Sequence, residues 1–319
     1  MKKQIILLGL LVLVLFSYTS CKKKSRDNWD DTMTAGFIRI ASDESFRALM
    51  DAQIRAFETH YPNATVIPIY TNETEAIRLL VEDSVRFALT TRDLNTKERA
   101  EMAERAMFAR KHLIAFDGIA LITNPLNPDS IIGIPTLRKI LTGEITEWSQ
   151  INPDSPLGTI RVIFDNRESG VLRYAVDSLL RGDAHSPNLY ALNNSIEVID
   201  RVVEMPNAIG MIGVNVLSDH TGSTYREYRN KIRITRVSRE ENATVENSFL
   251  PYAGLIVQEN YPLWRPVYVL LSDPRSGLSS GLTVFLANEI GQKIVLTSGL
   301  LPVTDSHIMR VIVRDRYPR

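Results

Sequence analysis

The 319-residue chain has a single cysteine, Cys21. One thiol cannot build a disulfide framework or a Cys-rich zinc site. Its five histidines are scattered, without HExxH or HxH spacing, so a His-built metal centre is not expected. Neither charge is in excess, with 37 Lys and Arg against 37 Asp and Glu. A general nucleic-acid binder needs a basic surplus or face, and that class is set aside. The apolar run of residues 5–16 is short of the ~18 residues that a membrane span needs. Apolar residues at 44%, charged residues at 23%, 16 Gly and 15 Pro are ordinary globular values, which excludes collagen, coiled coil and wholesale disorder. No fixed-period repeat signals a solenoid. What remains is a globular chain, long enough at ~150 residues per domain for about two domains.

The amino terminus accounts for the lone cysteine. Lys2 and Lys3 precede twelve apolar or Gly residues, 5–16, IILLGLLVLVLF. A positive start and a short apolar run read as a secretory signal, residues 1–20. Ser17, Tyr18, Thr19 and Ser20 then lead to Cys21, which resembles a bacterial lipoprotein lipobox, with Tyr18 where that pattern prefers Leu. Thioether lipidation of Cys21, cleavage before it and acylation of the new amine would anchor the chain through several acyl chains. Ordinary secretion with an incidental free thiol is the alternative. Residues 21–36 are polar and aperiodic past the cysteine, and read as a tether off the membrane surface.

Past residue 36 strands and helices alternate. Phe37–Ala41, Thr65–Tyr70, Val85–Thr90 and Ile119–Thr123 read as strands. Between them, Phe46, Leu49, Met50, Ile54 and Phe57 mark one helix face, and Asn72 with Glu75 resembles a capping box before the next helix. A third helix is expected over about 95–107. Further on, Ile160–Phe164, Ala208–Val214, Lys231–Val237, Val267–Leu271 and His307–Val313 are strands. Thr136–Leu141, the stretch from Val171 to Leu180, Glu197–Val203 and residues 279–298, interrupted near Gly291, are helical. Such alternation implies mostly parallel sheets covered on both faces, an α/β class whose ligands sit beyond strand carboxyl ends.

Three strand-to-helix junctions are rich in hydroxyl, amide and acidic residues: residues 42–45 (SDES), 71–74 (TNET) and 167–170 (RESG). Helix N-termini favour anions there, although for each junction alone capping is the simpler reading. One motif keeps an enzyme reading open. Residues 277–281, GLSSG, match G-x-S-x-G, with Asp305 and His307 following in hydrolase order and Ser279 as nucleophile. Against it, Asp273–Ser276 separate the motif from its strand, and loop chemistry explains Gly and Ser without catalysis.

Five segments, in order, resemble the PstS-like phosphate-binding proteins of ABC transporters. They are residues 87–94 (FALTTRDL), 137–152 (LRKILTGEITEWSQIN), 163–170 (IFDNRESG), 208–214 (AIGMIGV) and 261–268 (YPLWRPVY). The resemblance covers about 37–305. It implies a two-lobed periplasmic-binding-protein fold of type II that closes on its ligand about two hinge crossings. The crossings are placed near Thr123–Pro125 and Val257–Tyr261. Lobe one is then 37–124 plus 258–319, and lobe two is 125–257.

The same resemblance implies the function: a substrate-binding protein, which the lipobox-like reading of Cys21 would anchor by lipid on the periplasmic side of the bacterial envelope. It would be a monomer capturing inorganic phosphate or a similar oxyanion for an ABC permease, with no catalysis, metal or cofactor. A different small solute or anion, or a non-transport envelope scaffold, are the alternatives. The implied ligand residues are Ser45, Phe46, Asn72, Thr91, Arg92, Arg167, Ser169 and Gly170. Thr91 stands where the family has the Asp that accepts the proton of hydrogen phosphate. Asp165 stands where it has an Arg, and Val171 where it has a Thr. If the site holds an oxyanion, Arg92 and Arg167 are expected to supply the positive charge, because an Arg fork grips two oxygens at once.

Overall fold

The computed structural model describes residues 31–182, 186–218, 227–228 and 230–303. The expected signal, Cys21, Asp305, His307 and the strand over 307–313 lie outside the described residues.

The first half alternates as expected. Strand β1 (Gly36–Asp43) leads through a 3-10 turn into α1 (Arg47–His60). Then come β2 (Ala64–Thr71), α2 (Glu73–Val81), β3 (Phe87–Thr90), α3 (Thr96–Glu104) and β4 (Arg110–Thr123). The second half holds β5 (Ile131–Gly133), α4 (Ile134–Thr142), β6 (Arg161–Phe164), α5 (Gly170–Tyr174) and β7 (Leu189–Ala191). Residues Ala175–Leu180 continue α5 in π geometry. Helix α6 (Ser195–Glu204), β8 (Ala208–Gly213), α7 (Asn215–Ser218), β9 (Arg233–Ile234), β10 (Arg236–Ser238) and β11 (Ser248–Phe249) follow. Helix α8 (Ala253–Val257), β12 (Trp264–Leu271), α9 (Leu278–Ala287), α10 (Glu289–Thr297) and β13 (Leu301–Pro302) end the described chain.

One curled sheet, in the order β2-β1-β3-β12-β4-β8-β6-β7, underlies both lobes. Its flanks are parallel, β1 with β2 and β3 on one side, β6 with β7 and β8 on the other. The middle is antiparallel, because β12 runs against both β3 and β4, and β4 runs against β8. Each flank is buried on both faces by helices, as parallel sheets require. Ile40, Phe57, Phe87 and Phe285 form one core of the first lobe, and Ala76, Ile77, Leu80 and Ala88 the other. In the second lobe Leu137, Phe164, Val171 and Met211 pack on one face, and Ile163, Val198, Val202 and Ile212 on the opposite one.

Strand β4 passes through both lobes. Residues Arg110–Gly118 pair with β12, whereas Ile119–Thr123 pair with β8. The change of partner falls between Gly118 and Ile119, where the Ile119 N–H donates to Leu263 O at 2.8 Å. That is upstream of the expected crossing at Thr123–Pro125. The expected strand Ile119–Thr123 is therefore the second part of a longer one. Arg110, Lys111 and His112 hide its start by breaking the apolar pattern. The expected strand Lys231–Val237 is two strands, β9 on β4 and β10 on β5. The break in residues 279–298 is at Asn288 rather than Gly291, and Asn288 Oδ1 accepts from the Gly291 N–H at 3.0 Å. At Asn72 only half a capping box forms, since the Glu75 side chain turns to Arg78; the full box is at Asn95 and Glu98.

The last residues read as tether are packed. Asp31 Oδ1 accepts from the Leu278 N–H at 2.8 Å, at the start of α9. A Cβ on Gly281 would stand 1.8 Å from Met33 O, and one on Gly277 would stand 2.3 Å from Asp31 Oδ2. The two glycines of the G-x-S-x-G motif thus admit this segment. Ser279 is buried within α9 and Ser280 Oγ donates to Asp273.

Candidate functional site

The expected helix starts converge between the lobes. After β1, Asp43 Oδ1 accepts from the Ser45 N–H at 2.9 Å and from Ser45 Oγ at 2.7 Å. Phe46 is fully buried, with its ring 5.2 Å from the Arg265 guanidinium carbon. After β6, Ser169 caps α5 by accepting from the Leu172 N–H at 3.1 Å, which leaves Gly170 as the first helical residue. Here no side chain fits: a Cβ on Gly170 would lie 2.6 Å from Arg265 Nη1, 2.6 Å from Thr91 Oγ1 and 3.1 Å from Glu73 Oε1. That crowding locates the floor of the cleft, where both lobes meet.

Arg265 is the central cation, and sequence reasoning missed it. It is 1% exposed, in β12, directly across from Asp117 of β4. Nε and Nη2 donate to Asp117 Oδ2 at 3.0 and 2.9 Å, and Nη2 reaches Ser45 Oγ at 3.3 Å. Nη1 is buried and has no hydrogen-bond partner among the described residues. A signal existed: a lone Arg in an apolar strand, and a lone Asp in another, each need a buried partner.

Carboxylates outnumber cations here. Asp43, Glu73, Asp117 and Asp165 are all buried and all act electrostatically on Arg265. Burial pushes the Asp43 carboxyl up to about 6, against the pull of Arg265. Burial likewise raises Asp117 and Asp165 above the usual carboxylate range. Glu73 goes the other way. Burial alone would raise it, but Arg173 and the Thr91 hydrogen bonds hold it below the ordinary range. Its Oε1 accepts from the Thr91 N–H and Thr91 Oγ1, both at 2.6 Å, and its Oε2 accepts from Arg173 Nε at 2.6 Å. Arg173 Nη2 donates to Thr91 Oγ1 at 2.9 Å, which completes the ring.

The remaining expected residues stand further out. Arg92 forks onto Glu98 at 2.8 and 2.7 Å, with its Nε 4.0 Å from Glu73 Oε2. Asn72 caps α2 through the Glu75 N–H at 2.8 Å. Arg167 is exposed and, with Asn72, Asn166, Glu168 and Asn194, lines an outer cavity of about 560 Å³ at the cleft mouth. The inner floor therefore gathers Ser45, Phe46, Thr91, Ser169 and Gly170, with Arg265 and Arg173 as its cations. Asn72 and Arg167 sit at the mouth, and Arg92 between. No group of residues able to hold a metal ion occurs among the described residues.

Residues 27–287 match the PBP superfamily domain. The phosphate-binding protein PstS of Borreliella burgdorferi is 23% identical over 314 residues, covering 95% of this chain and 99% of that protein. The PstS of Bacillus subtilis is 21% identical, covering 97% of each. Among solved structures, a phosphate ABC transporter substrate-binding protein with bound phosphate, from Clostridium perfringens, superposes with a TM-score of 0.68 at 21% identity. It is covered completely, against 84% of this chain.

Proposed function

The chain belongs to the PBP superfamily, and we propose that it is the substrate-binding protein of an ABC importer that captures a small oxyanion, phosphate first. The observation that carries this reading is Arg265 Nη1, a buried cationic donor without a partner, aimed at the first helical residue of the opposite lobe. A buried donor left unmet is costly, and an anionic oxygen is its natural complement. Arg173, Thr91, Ser45 and Ser169 supply further donors around the same floor. Asp43 Oδ2 is buried and equally without a partner. With its carboxyl at about 6 it is ionised over most of the neutral range. It can accept a proton from hydrogen phosphate, a service of no use to sulfate. In this reading Asp43 takes the accepting role that Thr91 cannot, and Arg265 takes the role that Asp165 cannot. The relatives named for phosphate support the choice of ligand.

Calorimetric titration of the chain lacking residues 1–21 is the test. Saturable heat with phosphate, and none with sulfate, is expected. Heat with neither anion overturns the reading and leaves another solute or a scaffold role.

The amino-terminal reading completes the proposal: Cys21 carries the lipid that holds the protein, as a monomer, on the periplasmic side of the bacterial envelope, where it serves its permease. No helix among the described residues is long and apolar enough to cross a membrane. Wild-type protein should take up labelled fatty acid and sediment with membranes, and Cys21→Ala should do neither. An unlabelled wild type overturns the anchor.

A further inference from the structure

Glu73 is bonded as a bound anion would be. Its carboxylate belongs to the first lobe, at the start of α2, and is 2% exposed. One oxygen takes a backbone N–H and a hydroxyl from Thr91, and the other takes Arg173 Nε. Thr91 belongs to the first lobe, Arg173 to α5 of the second. The ion pair at 2.6 Å therefore spans the cleft. It also stands against Gly170, whose missing side chain leaves room for Glu73 Oε1 beside Arg265 Nη1. A helix-capping role does not explain the placement, because Asn72 already caps α2. Nor does a local ion pair, since Arg173 lies 100 residues away in sequence. Thr91 and Arg173 offer N–H, O–H and guanidinium donors, the set an oxyanion takes in water-excluded sites.

We propose that Glu73 is a built-in surrogate anion: it latches the two lobes shut without ligand, and an incoming oxyanion must displace it. This rests on the oxyanion reading of the same cleft. Glu73 then determines both affinity and selectivity. A ligand gains only the difference between its own contacts and those Glu73 gives up. It also lifts the usual coupling between ligand and closure, because the closed form is populated beforehand. The charges facing Glu73 are Arg173 from α5, Arg265 from β12, Arg92 after β3 and Asp43 after β1.

Three variants test this in the chain lacking residues 1–21: Glu73→Ala, Glu73→Gln and Arg173→Ala, each first checked for cooperative melting. Small-angle scattering without ligand should give a smaller radius of gyration for wild type than for any of the three, because each breaks the spanning pair. Phosphate should then bind Glu73→Ala and Glu73→Gln at least tenfold more tightly than wild type, and contract them. Arg173→Ala should open without that gain, because it loses a cation the anion needs. Equal radii for wild type and both Glu73 variants would overturn the latch. So would phosphate affinity that is unchanged or weaker in both. If neither wild type nor any variant binds phosphate while the radii differ as stated, the latch stands and the phosphate reading fails.

Discussion

Burial holds the Asp43 carboxyl at about 6, beside Glu73, Asp165 and Arg265. Its ordinary value is 3.8. Between those values the folded chain keeps a proton that the unfolded chain has released, so stability falls as pH rises through that window. At about 1.4 kcal/mol per unit, the loss is on the order of 3 kcal/mol by neutral pH. Asp117 and Asp165 push in the same direction, whereas Glu73, held low, adds stability that is lost as pH falls. Comparing Asp43→Asn with wild type isolates the one group. Asn keeps an oxygen for the Ser45 cap, as Asn and Asp cap about equally well. The two melting temperatures should match near about pH 4 and diverge in favour of the variant by about pH 7. Parallel curves across that range would place the proton elsewhere. Single residues were also where the sequence was hardest to read. Ser45 and Ser169 lie in strand-to-helix junctions that the sequence itself marks, whereas Thr91 entered only through the family resemblance. Glu73 looked like one more acid in a first helical turn, and Arg173 like one polar position on a helix. Their meeting depends on lobe closure, which no local pattern encodes.

Elements were more legible than residues, because a buried face leaves a period in the sequence. Helix α1 buries Leu49, Met50, Ile54 and Phe57 at helical spacing, and β1 and β2 are apolar stretches bounded by turns. The start of β4 was lost because Arg110, Lys111 and His112 interrupt its apolar run. The split of β9 from β10 was lost because the two pair with different sheets. Glycine in α9 gives the sharpest test at this scale. Gly281→Ala would ordinarily favour a helix interior by up to about 1 kcal/mol. Here its Cβ would stand 1.8 Å from Met33 O, so residues 31–36 must lift away. The expected result is a lower melting temperature and faster proteolysis within residues 31–36. Ser279→Ala should leave both readouts within error, and neither variant should change reactivity toward serine-directed probes. Cleavage of 31–36 at the wild-type rate in Gly281→Ala would mean that the segment does not pack on α9.

At the scale of the whole molecule, β4 runs through both lobes, and the one ion pair buried on both sides among the described residues lies at the join, where β4 crosses. Asp117 and Arg265 face each other one residue before β4 leaves β12 for β8. Breaking a buried pair by removing one partner costs ~3–5 kcal/mol, because the other charge is left unmet. The two partners are not equivalent, however. Arg265 also balances Asp43, Glu73 and Asp165, whereas Asp117 serves Arg265 alone among the cations acting on it. Arg265→Met should therefore destabilise more than Asp117→Leu. Removing both should cost less than the sum of the two, since the double variant has one fewer carboxylate without a cation. Because the sheet is continuous across the join, each should still unfold in one transition, with the differences read from urea midpoints at constant slope. Additive losses would mean that the two side chains act independently. A second transition in the double variant would mean that the pair, and not the shared sheet, makes the lobes unfold as one.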